Sequence, residues 1–183
     1  MTTSTIPGYV VGTWTADTAH SEVGFSVRHM MVSKVRGKFT NFEATIVTAE
    51  DPTASSVTAT IQLDSIDTGN EQRDGHIKSA DFFNTDVHAV MTYASTSVTP
   101  KGDDWIVEGN LSLHGVTKPV PLKVELNGFT ADPYGGTRAG FSATAEINRS
   151  DFGIEFNMPM DGGGVVIGDK ISITLEIEAV LAQ

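Results

Sequence analysis

Residues 105–126 read WIVEGNLSLHGVTKPVPLKVEL. Trp105, Val107, Gly109, Leu111 and Leu113 alternate with Ile106, Glu108, Asn110 and Ser112. After the turn His114-Gly115-Val116-Thr117, Val120, Leu122, Val124 and Leu126 alternate with Lys123 and Glu125. A period of two puts each apolar set on one face of a strand and each polar set on the other. Gly115 supplies the freedom at positive φ that a tight hairpin turn needs. The stretch is therefore an antiparallel hairpin with one apolar and one wet face.

The pattern continues in both directions. Phe141, Ala143, Ala145 and Ile147 share a face, as do Ile171, Ile173, Leu175, Ile177 and Ala179. Upstream, the sets are Val23, Phe25 and Val27, then Phe42, Ala44 and Ile46, then Val57, Ala59, Ile61 and Leu63. Tyr9–Asp17 and Val90–Thr99 have strand composition. Phe39 is out of phase with Phe42, which predicts a bulge near Thr40. Turn residues at Glu50–Pro52, Pro100–Asp103 and Asp132–Gly136 separate the runs. Eight or nine strands of this kind make an all-β protein, and closure into an up-and-down barrel of about eight strands removes the sheet edges. A two-sheet sandwich is the alternative. Residues 1–8 read as a flexible polar tail and 9–183 as a single domain.

Composition narrows the function. Twelve basic residues stand against 23 acidic ones, a net charge of −11. Such a surface repels phosphodiester backbones and anionic membrane faces, so no nucleic-acid partner is expected. Cysteine is absent, which removes disulfides, thiolate metal sites and thiol nucleophiles. The first fourteen residues show no basic stretch followed by an apolar run, so a cytoplasmic location is expected. No segment approaches the roughly 20 apolar residues of a membrane span.

One insert interrupts the strands: Asp64–Phe83, DSIDTGNEQRDGHIKSADFF. It reads as a short helix around residues 70–80. Thr68 with Glu71 matches a capping box, and Asn70 is an alternative cap. The helix is too short to be stable alone, so Ile77, Phe82 and Phe83 are expected to pack it across or beside a barrel opening. Its clustered acids look catalytic, but the insert offers no evident nucleophile. None of the five histidines (His20, His29, His76, His88 and His114) forms the spaced pair of a helical metal motif, and no metal or cofactor is expected. Asp151-Phe152-Gly153 and the stretch 163–170 imitate kinase and phosphate-loop motifs without the elements around them. Between Glu22 and Glu43 no acid occurs, while Arg28, Lys34, Arg36 and Lys38 all do. This is either a site for an anionic head group at one barrel mouth or a solvated strand face.

Several segments, in order, resemble the YceI-like family. They are WTADTAHS from Trp14, VGFSVRHM from Val23, VRGKF from Val35, the whole Asp64–Phe83 insert, GNLSLHGVT from Gly109 and NRSDFG from Asn148. The resemblance implies an extended lipocalin-like barrel with a long apolar cavity, binding of an isoprenoid lipid such as a polyprenyl phosphate or quinone, and in many members a homodimer. It carries no catalytic constellation, so a non-enzymatic binding protein is the expectation. The residues expected to line the cavity are Phe25, Val27, Phe42, Ala59, Ile61, Gly109, Leu111, Leu113, Phe141 and Ala143. Those expected at the head group or mouth are Arg28, His29, Arg36, Arg73, His76, Ile77, Phe82 and Phe83. The rival readings are an enzyme using His76 or His29 as acid or base, and an interaction module whose barrel is filled.

Overall fold

The structure, a computed structural model, describes residues 6–158, 160 and 164–183. Its strands are β1 (Gly12–Ala16), β2 (Glu22–His29), β3 (Ser33–Phe39), β4 (Phe42–Thr48), β5 (Ser56–Gln62), β6 (Ile66–Asp67), β7 (Val90–Lys101), β8 (Asp104–Leu113), β9 (Val116–Pro119), β10 (Leu122–Ala131), β11 (Thr137–Asn148) and β12 (Ile167–Leu181). Among the described residues there is one α-helix, α1 (Glu71–Lys78), between β6 and β7. Of the expected tail, residues 1–5 lie outside the described residues, and Ile6 is half-buried.

The sheet closes in the order β1–β4–β5–β7–β8–β10–β11–β12 and back to β1, an eight-stranded antiparallel barrel of lipocalin-like form. Twelve segments serve eight positions because several strands are broken and β12, paired with β11 along one edge, has two neighbours in succession along the other. Its first part pairs with β2, from Ile167↔His29 to Glu176↔Glu22, and its last with β1, from Ala179↔Ala16 to Leu181↔Trp14. At one end the barrel closes through β1, which bridges β12 and β4. At the other, β2 and β3 bridge β12 to β6, the continuation of β5 beyond a 3-10 turn at Leu63–Ser65.

That double closure corrects the expected bulge near Thr40. The chain bends at Thr40-Asn41 and starts a new strand. Phe39 then pairs with Val23 and Ile66, while Phe42 pairs with Ile61. The bend resets the phase, so both phenylalanines are buried although they lie three apart. The hairpin between β8 and β9 is as expected. His114 and Gly115 have φ of 56° and 76°, the two left-handed positions of a two-residue turn.

The β1 end is fastened inside and out. Trp14 is fully buried, and its indole Nε1 donates to Thr48 Oγ1 at 2.8 Å, which in turn donates to the Val10 carbonyl at 2.7 Å. Outside, Arg138 on β11 joins three acids: Nε to Asp132 at 2.6 Å, and Nη1 to Asp17 at 2.8 Å and Glu178 at 2.7 Å. His20 also reaches Asp17, at 2.9 Å. The Arg138 hydrogen bond, helped by His20, holds the Asp17 carboxyl well below its usual range. The Tyr134 amide and then Arg138 lower Asp132, and Asp17 raises His20.

A depressed carboxylate stabilises the fold above its unfolded pKa near 3.9 and loses that as pH falls through its folded value. The raised His20 does the reverse, stabilising below about 6.5 and losing that as pH rises through its folded value. The melting temperature of Arg138→Ala should therefore lie below wild type at neutral pH, and the gap should close below about pH 4. Because the cluster lies half-buried at the surface, where solvent still screens it, the neutral-pH difference should be a few degrees. Melting curves that stay parallel from neutral to acid pH would show that Arg138 does not set these ionisations.

Candidate functional site

The barrel interior is hollow at both ends and packed between them. The larger cavity, about 310 Å³, lies where β2 and β3 close the barrel and where α1 and the turn after it pack. Its walls include Phe25 and Val27 on β2, Met91 on β7, Leu113 on β8, Ile147 on β11, and Ile171 and Ile173 on β12. The smaller, about 140 Å³, lies toward β1 and is lined by residues such as Val57, Val107, Val124, Phe141 and Ile177. The larger volume is at the low end of the roughly 300–1,000 Å³ typical of small-molecule sites.

A layer of side chains separates the two. Ala44, Ala59, Tyr93 and Leu111 form one cross-strand row over β4, β5, β7 and β8, beside the Phe42–Ile61 pair. Phe42, Ile61, Tyr93 and Leu111 are all buried. Tyr93 packs in this waist over Gly109, its diagonal neighbour on β8, which leaves it room by having no side chain: a Cβ there would collide with the Tyr93 ring. The Tyr93 hydroxyl donates to the Val120 carbonyl at 2.8 Å. Burial pushes its pKa up to about 12, so it remains a donor.

Charge is distributed unevenly. Among the described residues, the lining of the larger cavity contains Arg28, Arg73, Arg149, His29 and His76 and no carboxylate, whereas that of the smaller contains no charged residue. Arg149 is 6% exposed and faces no carboxylate partner within salt-bridge distance among the described residues. Its guanidinium donates to the carbonyls of Gly168 (2.9 Å), Ile154 (3.0 Å), Phe156 (2.9 Å) and Ile167 (3.3 Å). Burial lowers its pKa, which the Asp169 charge partly offsets.

The α1 insert forms a wall of this cavity through Arg73, His76, Ile77, Phe82 and Phe83. Asn70 is the cap, its side chain accepting from the Arg73 amide at 3.0 Å. Thr68, the other candidate, is held from the helix instead. Arg73 donates Nε to its Oγ1 (2.8 Å) and Nη2 to its carbonyl (2.7 Å), and Asp74 accepts both its amide and its hydroxyl. These bonds fix a two-turn helix that carries Gly75 at mid-length, where glycine costs about 1 kcal/mol. The His76 ring sits edge-on to Phe82 and Phe156, centroids 5.0 and 5.3 Å away, and its Nε2 lies 2.9 Å from Asp81.

The expected site residues thus fall into four places. Phe25, Val27, Leu113, Arg28, His29, Arg73, His76, Ile77, Phe82 and Phe83 meet at the larger cavity, and Phe141 and Ala143 at the smaller. Phe42, Ala59, Ile61, Gly109 and Leu111 belong to the waist. Arg36 is on the outward face of β3. Tyr93 and Arg149 were not among the expected residues. The Met91–Tyr93 alternation on β7 marks Tyr93 as inward, whereas an arginine just after a strand gives no sign of burial. Among the described residues, Asp17, His20 and Glu178 bring oxygen and nitrogen atoms within 4.8 Å of one another, as a metal site would, but the Arg138 guanidinium occupies their midst.

A family model described as the YceI-like domain matches residues 14–179. The chain is 37% identical over 172 residues to the UPF0312 protein SA2479 of Staphylococcus aureus (strain N315), covering 93% of this chain and 98% of that one. It is 43% identical over 140 residues to Protein YceI of Escherichia coli O17:K52:H18, covering 76% and 73%. A solved polyisoprenoid binding domain from Saccharophagus degradans, implicated in plant cell wall breakdown, superimposes with a TM-score of 0.67 at 18% identity, over 94% of this chain and 100% of that one. At that identity the match shows a shared fold.

Proposed function

We propose that this chain, which belongs to the YceI-like domain family, binds one long isoprenoid-type lipid with its tail in the barrel and its head among the cations of the larger cavity. The observation that carries the reading is the lining of that cavity: aliphatic and aromatic walls with arginines and histidines and, among the described residues, no carboxylate. Apolar walls select an apolar chain, and each buried CH₂ contributes roughly 0.8 kcal/mol before the cost of ordering the chain. Guanidinium groups favour an anionic head, so a polyprenyl phosphate suits the site better than a neutral quinone. The fold shared with a polyisoprenoid binding domain supports the same class of ligand.

Binding without catalysis is the better reading of the same walls. Among the described residues, the lining of the larger cavity includes no serine, threonine, tyrosine, lysine or carboxylate to act as nucleophile or partner base. His76 is engaged by Asp81 and wedged between two phenyl rings. Solvent extraction of the purified protein followed by mass spectrometry should recover an isoprenoid lipid. Recovery of no apolar molecule, together with failure to bind added polyprenyl phosphates or quinones, would sink the proposal.

A further inference from the structure

The hairpin of β2 and β3 has an inner face that helps wall the larger cavity and a tip and outer face that the binding of a lipid does not explain. The tip is Met30-Met31-Val32, exposed by 42, 59 and 82%. The Val32 amide donates to the His29 carbonyl at 3.2 Å, closing a four-residue turn whose central residues have φ of 51° and 64°. Those are the left-handed positions that glycine and asparagine fill at least cost. Here two methionines hold them, and their side chains gain little burial in return. A costly backbone at an exposed site points to a use outside folding.

The outer face repeats the pattern. Arg28, Lys34, Arg36 and Lys38 are all exposed. Arg28 and Lys34 are directly opposite in the strand register, where like charges destabilise a sheet. None of the four makes an ion pair among the described residues. In a chain of net charge −11, four of the twelve basic residues share this one ribbon, and no acid lies between Glu22 and Glu43.

From these features we infer that the β2–β3 tip docks on an anionic lipid surface, with the methionines and Val32 entering the interface and the cations contacting head groups. An apolar edge next to lysines and arginines is the composition of an interfacial anchor. Position agrees: exposed Arg28 and Met158 also line the larger cavity, so the cavity reaches the surface beside the tip. A second copy of this chain is a poorer partner, because a symmetric contact would set the four cations against four more. The negative charge elsewhere opposes approach only weakly, being screened beyond about 8 Å at physiological salt. This inference does not need the cavity to hold a lipid.

The full chain should co-sediment with vesicles of phosphatidylcholine containing phosphatidylglycerol, not with phosphatidylcholine alone, and binding should weaken as salt rises. Lys34→Gln and Lys38→Gln should each lower partitioning roughly fivefold. Met31→Asp/Val32→Asp should abolish it without changing the melting temperature, and Val32→Trp should strengthen it and blue-shift the added fluorescence. Equal binding to neutral vesicles, no binding to anionic ones, or variants that bind as wild type would overturn the inference. So would sedimentation of the free protein as a dimer that Met31→Asp/Val32→Asp dissociates, which would make the tip a self-association surface. Solvent-extracted and untreated protein should bind vesicles alike, separating this result from the presence of cargo.

Discussion

Replacing Arg149 by alanine should destabilise the protein by about 3–5 kcal/mol, a large share of the stability of a domain this size. The guanidinium supplies four hydrogen bonds to carbonyls of two segments: Ile154 and Phe156 after β11, and Ile167 and Gly168 at the start of β12. Without it those carbonyls lose their donor, each at about 1–3 kcal/mol where water cannot replace it. Water entering from the cavity can satisfy some of them, which sets the lower limit. Arg149→Lys should recover only part of the loss, because three rotating donors cannot reproduce a planar fork.

The same change should loosen the cavity. Phe156 accepts from Arg149 through its carbonyl and packs its ring on His76 and Phe82. Releasing it removes a wall of the larger cavity. Urea titration should show a lower midpoint at unchanged slope, and hydrogen exchange should rise first around Ile154 and Ile167, whose amides bond to Arg149 O and Asn157 Oδ1. A variant within 1 kcal/mol of wild type would mean that the four bonds are readily replaced.

How much of this could be read in the sequence depends on the kind of signal. The barrel could, because inward positions on β8, β11 and β12 repeat every second residue without a break, and a closed sheet is the arrangement that leaves few edges. The division of Phe39 from Phe42 could not. Two aromatic residues three apart signal a change of phase but not whether the chain bulges within one strand or leaves it for another. That is decided by pairing with Val23, Ile66 and Ile61, far away in the chain. The insert was legible as a capped helix, since Asn70, Glu71 and Asp74 act locally. Its place against the larger cavity follows from Ile77, Phe82 and Phe83, which a helix this short must bury. The two-part interior was not legible. Small inward residues such as Ala44, Ala59 and Gly109 mark spare volume, yet whether that volume stays empty depends on which large side chain crosses to fill it, and Tyr93 does.

Tyr93 is therefore where tail length should be decided, if the bound molecule is an isoprenoid. With the waist closed, a tail can fill the larger cavity and then meets a packed layer. Affinity of wild type for a series of prenyl compounds should rise with each unit and level off once that cavity is full. Tyr93→Ala removes the ring that lies over Gly109 in this packed layer, and should thereby open the layer between the two cavities and move the plateau to longer tails. Each further buried unit should add roughly tenfold in affinity after the cost of ordering it. The empty variant should be less stable by about 3–5 kcal/mol, as for other large-to-small changes in a core, and a long ligand should restore part of that. Tyr93→Phe keeps the ring and loses only the bond to Val120, so it should cost about 1 kcal/mol and leave the plateau in place. Gly109→Ala tests the other side of the contact. Its methyl would lie 2.4 Å from the ring and 2.8 Å from the Ala94 carbonyl oxygen, and the backbone atom cannot yield as a flexible side chain can. The ring must shift, at about 1–3 kcal/mol, and the plateau should shift with it. Titration calorimetry across the series separates the cases: if the length profile of Tyr93→Ala coincides with that of wild type, the waist opens without resistance and tail length is set elsewhere in the barrel.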